Sequence, residues 1–345
     1  MFSRIFVEQE IRDSARVQEI LDRYQGVPVS TIERISDVFE RVRKPYLLKR
    51  RDLALLLGSK KGKKIRESPA FYGLGEGPHY LLMHAYNCIH ECAYCYLQGY
   101  FNSPDIVLFL NFEDFSSEIE TATRALSNGE RAWFHAGEYS DSLALPAVSS
   151  GLEFLFELFG NLSRASLELR TKSTNIKTLL GLEPRPNIVA SFTLSPQKWI
   201  EQYELNTPPL ASRIRALGTL ARGGHPVAVH FDPIIYQRDI EHAYRALLKE
   251  LLESISPSKL EYLSLGVVRF SRQVFQQIKA NYPDSKLLAA EFVKGFDNKI
   301  SYNRPTRLWL LNKIKTLCLE AGIDERRIYL CMESAQDAGV EFVDR

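Results

Sequence analysis

Residues 79–98 read "HYLLMHAYNCIHECAYCYLQ". A short apolar, strand-like run leads into a loop carrying Cys88, Cys92 and Cys95, three of the chain's five cysteines. Cys-x3-Cys-x2-Cys places three thiolates close enough to share one metal centre. Structural zinc takes four ligands in paired Cys/Cys or Cys/His spacings, and His84, His90, Cys318 and Cys331 stand at no such interval. A 4Fe–4S cube held by three cysteines leaves one iron open to an outside ligand. Spacing therefore leaves two readings, an open iron–sulfur site and a zinc or inert thiol cluster.

Outward from this loop the chain alternates. Strand-like runs ("IVLFLNF", "RAWFHA", "SLELRT", "NIVASFTL", "PVAVHF", "LEYLSLGVV", "RIYLC") are separated by stretches of helical period such as "EDFSSEIETATRAL" and "DIEHAYRALLKELLESI". Such alternation implies an α/β fold with a mostly parallel sheet, open or curled into a barrel. Residues 1–79 read as a helical, basic region packed on the barrel, with "SARVQEILDRY" as its amphipathic helix. Residues 80–345 carry the barrel and the C-terminal substrate-binding elements, with no separating linker.

Of 345 residues, 45% are hydrophobic and 25% charged, the balance of a globular chain with a sizeable core. An odd, uneven set of cysteines argues against a disulfide framework and for a reducing compartment. The start becomes charged too soon for a secretory signal, and no apolar run approaches the roughly 20 residues that span a bilayer. A soluble, cytoplasmic protein away from membranes is the expectation. The net charge of +2 hides an asymmetry. Arg41–Arg66 holds eleven Lys/Arg against Asp52 alone, so this segment is near +10 and the rest near −8. A local basic patch on an acidic body suits a polyanion, and Lys60, Lys61, Lys63 and Lys64 around Gly62 are its nucleic-acid-binding candidates. A solvated, skewed surface is the plainer alternative.

"CIHECAYC" matches the CxxxCxΦC signature of radical S-adenosylmethionine enzymes, with Tyr94 as the aromatic. Further out, "CAYCYLQGYF", the upstream "KKGK" and "SP", and "AGEYSDSLAL", "ELRTKS", "SFTLSP" and "RIRALGTLARGGHPVAVHFDPII" in order resemble the spore photoproduct lyase family over roughly residues 55–335. The resemblance implies a partial, open α/β barrel of radical SAM type with a helical N-terminal extension. It implies a 4Fe–4S cluster on Cys88, Cys92 and Cys95, and S-adenosyl-L-methionine as second cofactor. It also implies DNA with damaged thymines as partner, and an electron donor such as a flavodoxin or ferredoxin. By the same carry-over Glu138 and Ser140 meet the methionine ammonium, and Lys172 and Ser195 hold its carboxylate and the ribose, as charge and hydroxyl chemistry suit. Lys172 as a solvent-facing strand end and Ser195 as a turn residue are the plain alternatives.

One position departs from the family. Where spore photoproduct lyases carry the cysteine that returns a hydrogen atom, this chain has Glu138 in "EYSD", and a carboxylate cannot donate a hydrogen atom. Tyr96 and Tyr139 are candidate relays, and Cys331 is a candidate thiol, although a free cysteine reads first as small core. In "KGFDNKISYNRPTRLW", Tyr302 is a stacking or relay candidate and Arg304 a phosphate or base contact. The expected function is repair of a thymine photoproduct in DNA by a 5′-deoxyadenosyl radical. Radical chemistry on another substrate, and a non-catalytic metal-stabilised nucleic-acid binder, are the alternatives.

Overall fold

Leu53–Gly58 is buried at all six positions, which a strand sustains only when both faces are covered. The computed structural model, which describes residues 2–69, 72–73, 77–145, 149–295 and 298–333, shows what covers them. In chain order the strands are β1 (Phe2–Glu8), β2 (Val29–Ile32), β3 (Leu53–Gly58), β4 (Ile65–Glu67), β5 (His79–Leu82), β6 (Ala85–Tyr86), β7 (Glu91–Cys92), β8 (Ile106–Phe109), β9 (Ala132–Ala136), β10 (Ala165–Thr171), β11 (Ile188–Thr193), β12 (Glu204–Leu205), β13 (Val227–Ile234), β14 (Leu260–Val267), β15 (Arg269–Phe270), β16 (Phe292–Lys294), β17 (Ile300–Tyr302) and β18 (Ile328–Leu330). The longer helices are α1 (Ala15–Arg23), α2 (Phe112–Arg124), α3 (Ser149–Gly160), α4 (Lys177–Leu180), α5 (Gln197–Tyr203), α6 (Leu210–Arg222), α7 (Ile240–Ser254), α8 (Arg272–Asn281) and α9 (Arg304–Glu320).

Two large sheets form. The larger runs β18-β14-β13-β11-β10-β9-β5-β4, parallel except where β4 meets β5. Neighbours in this sheet follow chain order, and its end strands do not pair with each other, so it is an open, partial α/β barrel. The smaller sheet has the order β2-β1-β3-β8-β6, parallel except where β6 meets β8. No helix among the described residues is long and apolar enough to cross a membrane.

Two expectations change. The first 79 residues are not mainly helical: three strands of the smaller sheet and β4 of the larger lie there, beside α1 and short 3-10 turns, and β5 begins at His79. Short apolar runs such as "LALLL" are too brief for periodicity to separate strand from helix. "IVLFLNF" does form a strand, β8, but it joins the smaller sheet and not the barrel. The amphipathic "SARVQEILDRY" does become α1. Ser14 caps it by accepting from the Val17 amide, and Val17 and Ile20 are buried.

The barrel interior is tied together by one carboxylate. Glu168 of β10, fully buried, accepts from His230 of β13 and Tyr262 of β14 at 2.6 Å each, from Ser191 of β11 at 2.8 Å and from Arg170 at 3.1 Å. His135 of β9 bonds it through Nδ1, and His79 of β5 lies 2.9 Å from the other nitrogen of His135. Burial opposes ionisation of Glu168, but the charges of Arg170, His230 and His135 outweigh it and hold the carboxyl well below its ordinary range. Six adjacent strands thus share one polar network. Glu168→Ala strands these donors in a dry interior, at a cost of about 3–5 kcal/mol. Urea unfolding followed by circular dichroism should show a clearly lower midpoint, and an unmoved midpoint would contradict the hub.

Candidate active site

The cysteine loop is held from both sides. Asn87, in the left-handed region with φ 62°, turns the chain out of β6, and its amide donates to the carbonyls of Ser103 (2.7 Å) and Asp105 (2.8 Å). On the inner side β7 pairs antiparallel with β12, Cys92 facing Glu204. The buried Glu204 carboxylate takes Arg213 at 2.6 Å, the Tyr94 hydroxyl at 2.5 Å and the Ser195 hydroxyl at 3.0 Å. On the outer side Lys49 donates to the carbonyls of Cys88 (2.8 Å) and His90 (2.5 Å), and Arg50 grips Glu91 through Nε at 2.8 and 2.9 Å. Lys44 reaches the buried Asp105 at 2.5 Å. Three cations of the basic segment therefore brace the loop and its approach.

Inside the barrel mouth lies a cavity of about 250 Å³. Cys88, Cys92 and Cys95 line it, together with Tyr94, Tyr96, Glu138, Ser140, Lys172 and Cys331. Gly137 makes the approach possible. It has φ +99°, and a Cβ there would lie 2.6 Å from the Arg170 carbonyl. Glu138 accepts from Tyr72 and stands 3.9 Å from Arg170, itself 3.1 Å from Tyr72. The Tyr96 hydroxyl donates to the Glu138 carbonyl. Asp141 fixes the β10 end, accepting from the Thr171 hydroxyl at 2.6 Å and the Lys172 amide at 2.7 Å.

The donor set fits a cluster better than a single ion. Thiolates on one tetrahedral zinc stand ~3.8 Å apart, given Zn–S bonds of about 2.3 Å. Among the described residues the group whose donors all lie within 4.8 Å is Cys88, His90 and Asp141, not the cysteine trio. Asp141 spends its oxygens on Thr171, Lys172 and the Leu143 amide, so that mixed set is no vacant ion site. The Nδ1 of His90 faces the Asn206 carbonyl at 2.7 Å, leaving a buried Nε2 with no hydrogen-bond partner at the cavity. Burial raises all three thiols, Cys92 to about 12, and Lys172 works against this at Cys92. A cationic centre between them supplies what ionisation needs.

Several predicted residues lie elsewhere. Ser195 does not line the cavity, because its hydroxyl is turned to Glu204 behind Tyr94. Tyr302 is 1% exposed in the β15-β17-β16 sheet, where its oxygen accepts from the Tyr236 amide at 3.0 Å; it is a core residue here. Arg304 opens α9, also away from the cavity lining. Lys60, Lys61, Lys63 and Lys64 sit on the β3–β4 connection. Lys61 pairs with Glu10 at 2.7 Å and Lys64 with Asp114 at 3.7 Å. Conversely, Lys49, Tyr72, Asp141, Arg170, Asp232 and Arg269 were not foreseen. Asp141 and Arg170 sit inside "GEYSD" and "ELRTKS", Asp232 inside "GGHPVAVHFDPII" and Lys49 inside the basic segment, whereas nothing near Arg269 marks it out.

The family model for spore photoproduct lyase matches residues 5–297. The chain belongs to the spore photoproduct lyase family. It is 24% identical over 292 residues to the spore photoproduct lyase of Bacillus subtilis (strain 168), covering 82% of this chain and 83% of that one. For the enzyme of Clostridium acetobutylicum the identity is 21%, with 83% and 84% covered. Among solved structures, a cysteine-to-alanine mutant of spore photoproduct lyase superposes with TM-score 0.82 at 19% identity, covering 97% of this chain and 99% of that one. A double mutant with bound AdoMet and dinucleoside spore photoproduct gives TM-score 0.81 with the same coverage and identity. Family membership accounts for the barrel and for the position of the cysteine loop at its mouth.

Lys49→Met leaves two loop carbonyls without their cation. After anaerobic reconstitution, bound iron per chain should fall about twofold or more relative to wild type, while Lys259→Met at an exposed site should not change it. Equal iron in both variants would show that the loop needs no such brace.

Proposed function

We propose that the protein is a radical S-adenosylmethionine enzyme that repairs a thymine photoproduct in DNA, either spore photoproduct or a lesion of the same class. The observation that carries this reading is one cavity lined at once by three cysteines, a lysine at the β10 end and a separate buried thiol. Family membership supports it, and the double mutant among the structural relatives binds both AdoMet and a dinucleoside spore photoproduct. Cys88, Cys92 and Cys95 would hold the cluster, which with S-adenosylmethionine supplies a 5′-deoxyadenosyl radical.

The chain's own residues do the rest. Lys172 is a half-buried cation whose ordinary pKa desolvation lowers, while the charges of Cys92 and Glu204 outweigh that and raise it. It therefore stays protonated to meet a carboxylate. Ser140 and Glu138 offer oxygens to an ammonium. A low-potential electron donor and DNA complete the partners, with the β3–β4 lysines as nucleic-acid contacts.

Hydrogen return falls to Cys331. The Cys331 thiol lines the cavity, and burial followed by the neighbouring Asp232 pushes its pKa far up. It keeps its S–H bond at neutral pH, and that bond is what a carbon-centred substrate radical needs: the hydrogen atom moves to carbon and leaves a sulfur radical. Tyr96 stands at the same cavity as a relay. Glu138 instead supplies a fixed hydrogen-bond acceptor.

With reduced, reconstituted protein and dinucleoside spore photoproduct, 5′-deoxyadenosine and thymine should both form. Cys331→Ala should retain 5′-deoxyadenosine formation and lose thymine yield about tenfold or more, with less deuterium delivered from D2O-equilibrated enzyme. Formation of 5′-deoxyadenosine with no thymine from wild type would remove this lesion as substrate and favour another.

A further inference from the structure

The basic segment divides in two. Its second part, Lys60–Arg66, leads to the cavity side, because the Arg66 side chain bonds Tyr139, the neighbour of Glu138, and Tyr100. Its first part, Arg41–Arg51, holds six cations and no acid and lies across the cysteine loop. None of its residues lines the catalytic cavity. Lys49 and Arg50 hold the loop directly. Tyr46, 8% exposed, has its hydroxyl 3.4 Å from the Lys49 Nζ that holds the Cys88 and His90 carbonyls, so this ring packs against the outer side of the loop.

Beyond that ring is an outer groove of about 240 Å³, lined by Arg43, Lys44, Tyr46, Gln98, Gln277 and Asn281. Helix α8 forms its far wall: Asn281 donates to Gln98 at 3.0 Å, and Gly99 packs so close to Val274 that a Cβ would meet it at 2.9 Å. Of the Arg41–Arg51 segment, Arg41, Arg43 and Arg51 are exposed, and Arg43 lines the groove. The buried acids Asp105 and Glu91 are taken by Lys44 and Arg50, and Glu40, which accepts from the Asn102 amide at 3.0 Å, Asp52 and Asp284 are the exposed acids. The Arg41–Arg51 segment itself is strongly basic, with six cations and no acid, and the buried Tyr46 ring links the groove to the outer brace of the cysteine loop.

We infer that this face docks an acidic electron-transfer protein, which passes one electron to the centre held by Cys88, Cys92 and Cys95 along the Tyr46 side of the loop. The electron leaves the donor and no atom does, so a brief, charge-steered encounter suffices. A lesion-bearing DNA must instead present its base to the cavity on the other side of the loop. The inference rests on the proposed function only in taking the cysteine site as a redox centre.

The test uses reconstituted holoenzyme and a flavodoxin of net negative charge. Combined Arg41→Glu, Arg43→Glu and Arg51→Glu should raise the flavodoxin Kd about tenfold and slow flavodoxin-driven 5′-deoxyadenosine formation correspondingly. Dithionite-driven formation should hold at the wild-type rate. Raising salt should weaken wild-type binding and leave the dithionite reaction unchanged. Unchanged flavodoxin affinity in the triple variant overturns the inference. So does lost affinity for lesion DNA with flavodoxin binding intact, which would give the face to nucleic acid. If dithionite drives no S-adenosylmethionine cleavage in wild type while flavodoxin affinity still tracks these charges, the proposed reaction fails and the docking face stands.

Discussion

Three thiols on one eight-residue stretch, Cys92 buried and Cys88 and Cys95 half-buried, cannot all ionise unless positive charge stands among them, and they cannot keep their spacing unless the loop is fixed from outside. Much of the surrounding structure answers these two demands. Lys49 and Arg50 grip the loop on one flank, and Glu204 with Arg213 and Tyr94 secures it on the other. Lys172 brings a cation to the cavity itself. The three sulfurs of this loop do not all lie within 4.8 Å of one another, wider than the ~3.8 Å spacing on one tetrahedral zinc.

Beneath it, the Glu168 network settles how far down the barrel the chemistry can reach. Its donors come from strands on both sides of β10, and Arg170 carries the network up to Tyr72 and Glu138 at the cavity. Glu138 is therefore part of a charged wall and not an isolated replacement for a thiol. The cavity keeps a thiol at another place, Cys331, just past the edge strand β18.

Much of this could be read from residues alone, and the limits have physical causes. The cysteine spacing and the long parallel strands were legible because a three-thiolate loop and an apolar period of two or 3.6 leave few alternatives. Lys172, Tyr96 and Cys331 do reach the cavity. Tyr302 and Ser195 do not, because a tyrosine or serine beside a turn looks the same in sequence whether its hydroxyl faces solvent, substrate or a buried partner. The basic segment is legible only in part for a related reason: composition counts charge without saying which cations are already bonded. Lys44, Lys49 and Arg50 are spent on the protein itself.

The path of the chain through residues 79–92 has a further consequence. Within this stretch it leaves the barrel sheet at β5, touches the smaller sheet at β6 and returns to pair with β12 at β7. The cysteine loop is thus slung between two abutments, one of which stands partly on the first 58 residues. Trimming the amino-terminal segment to obtain a minimal barrel would remove a support of the metal loop rather than an appendage. Two halves expressed apart would each lack the register that spaces the sulfurs.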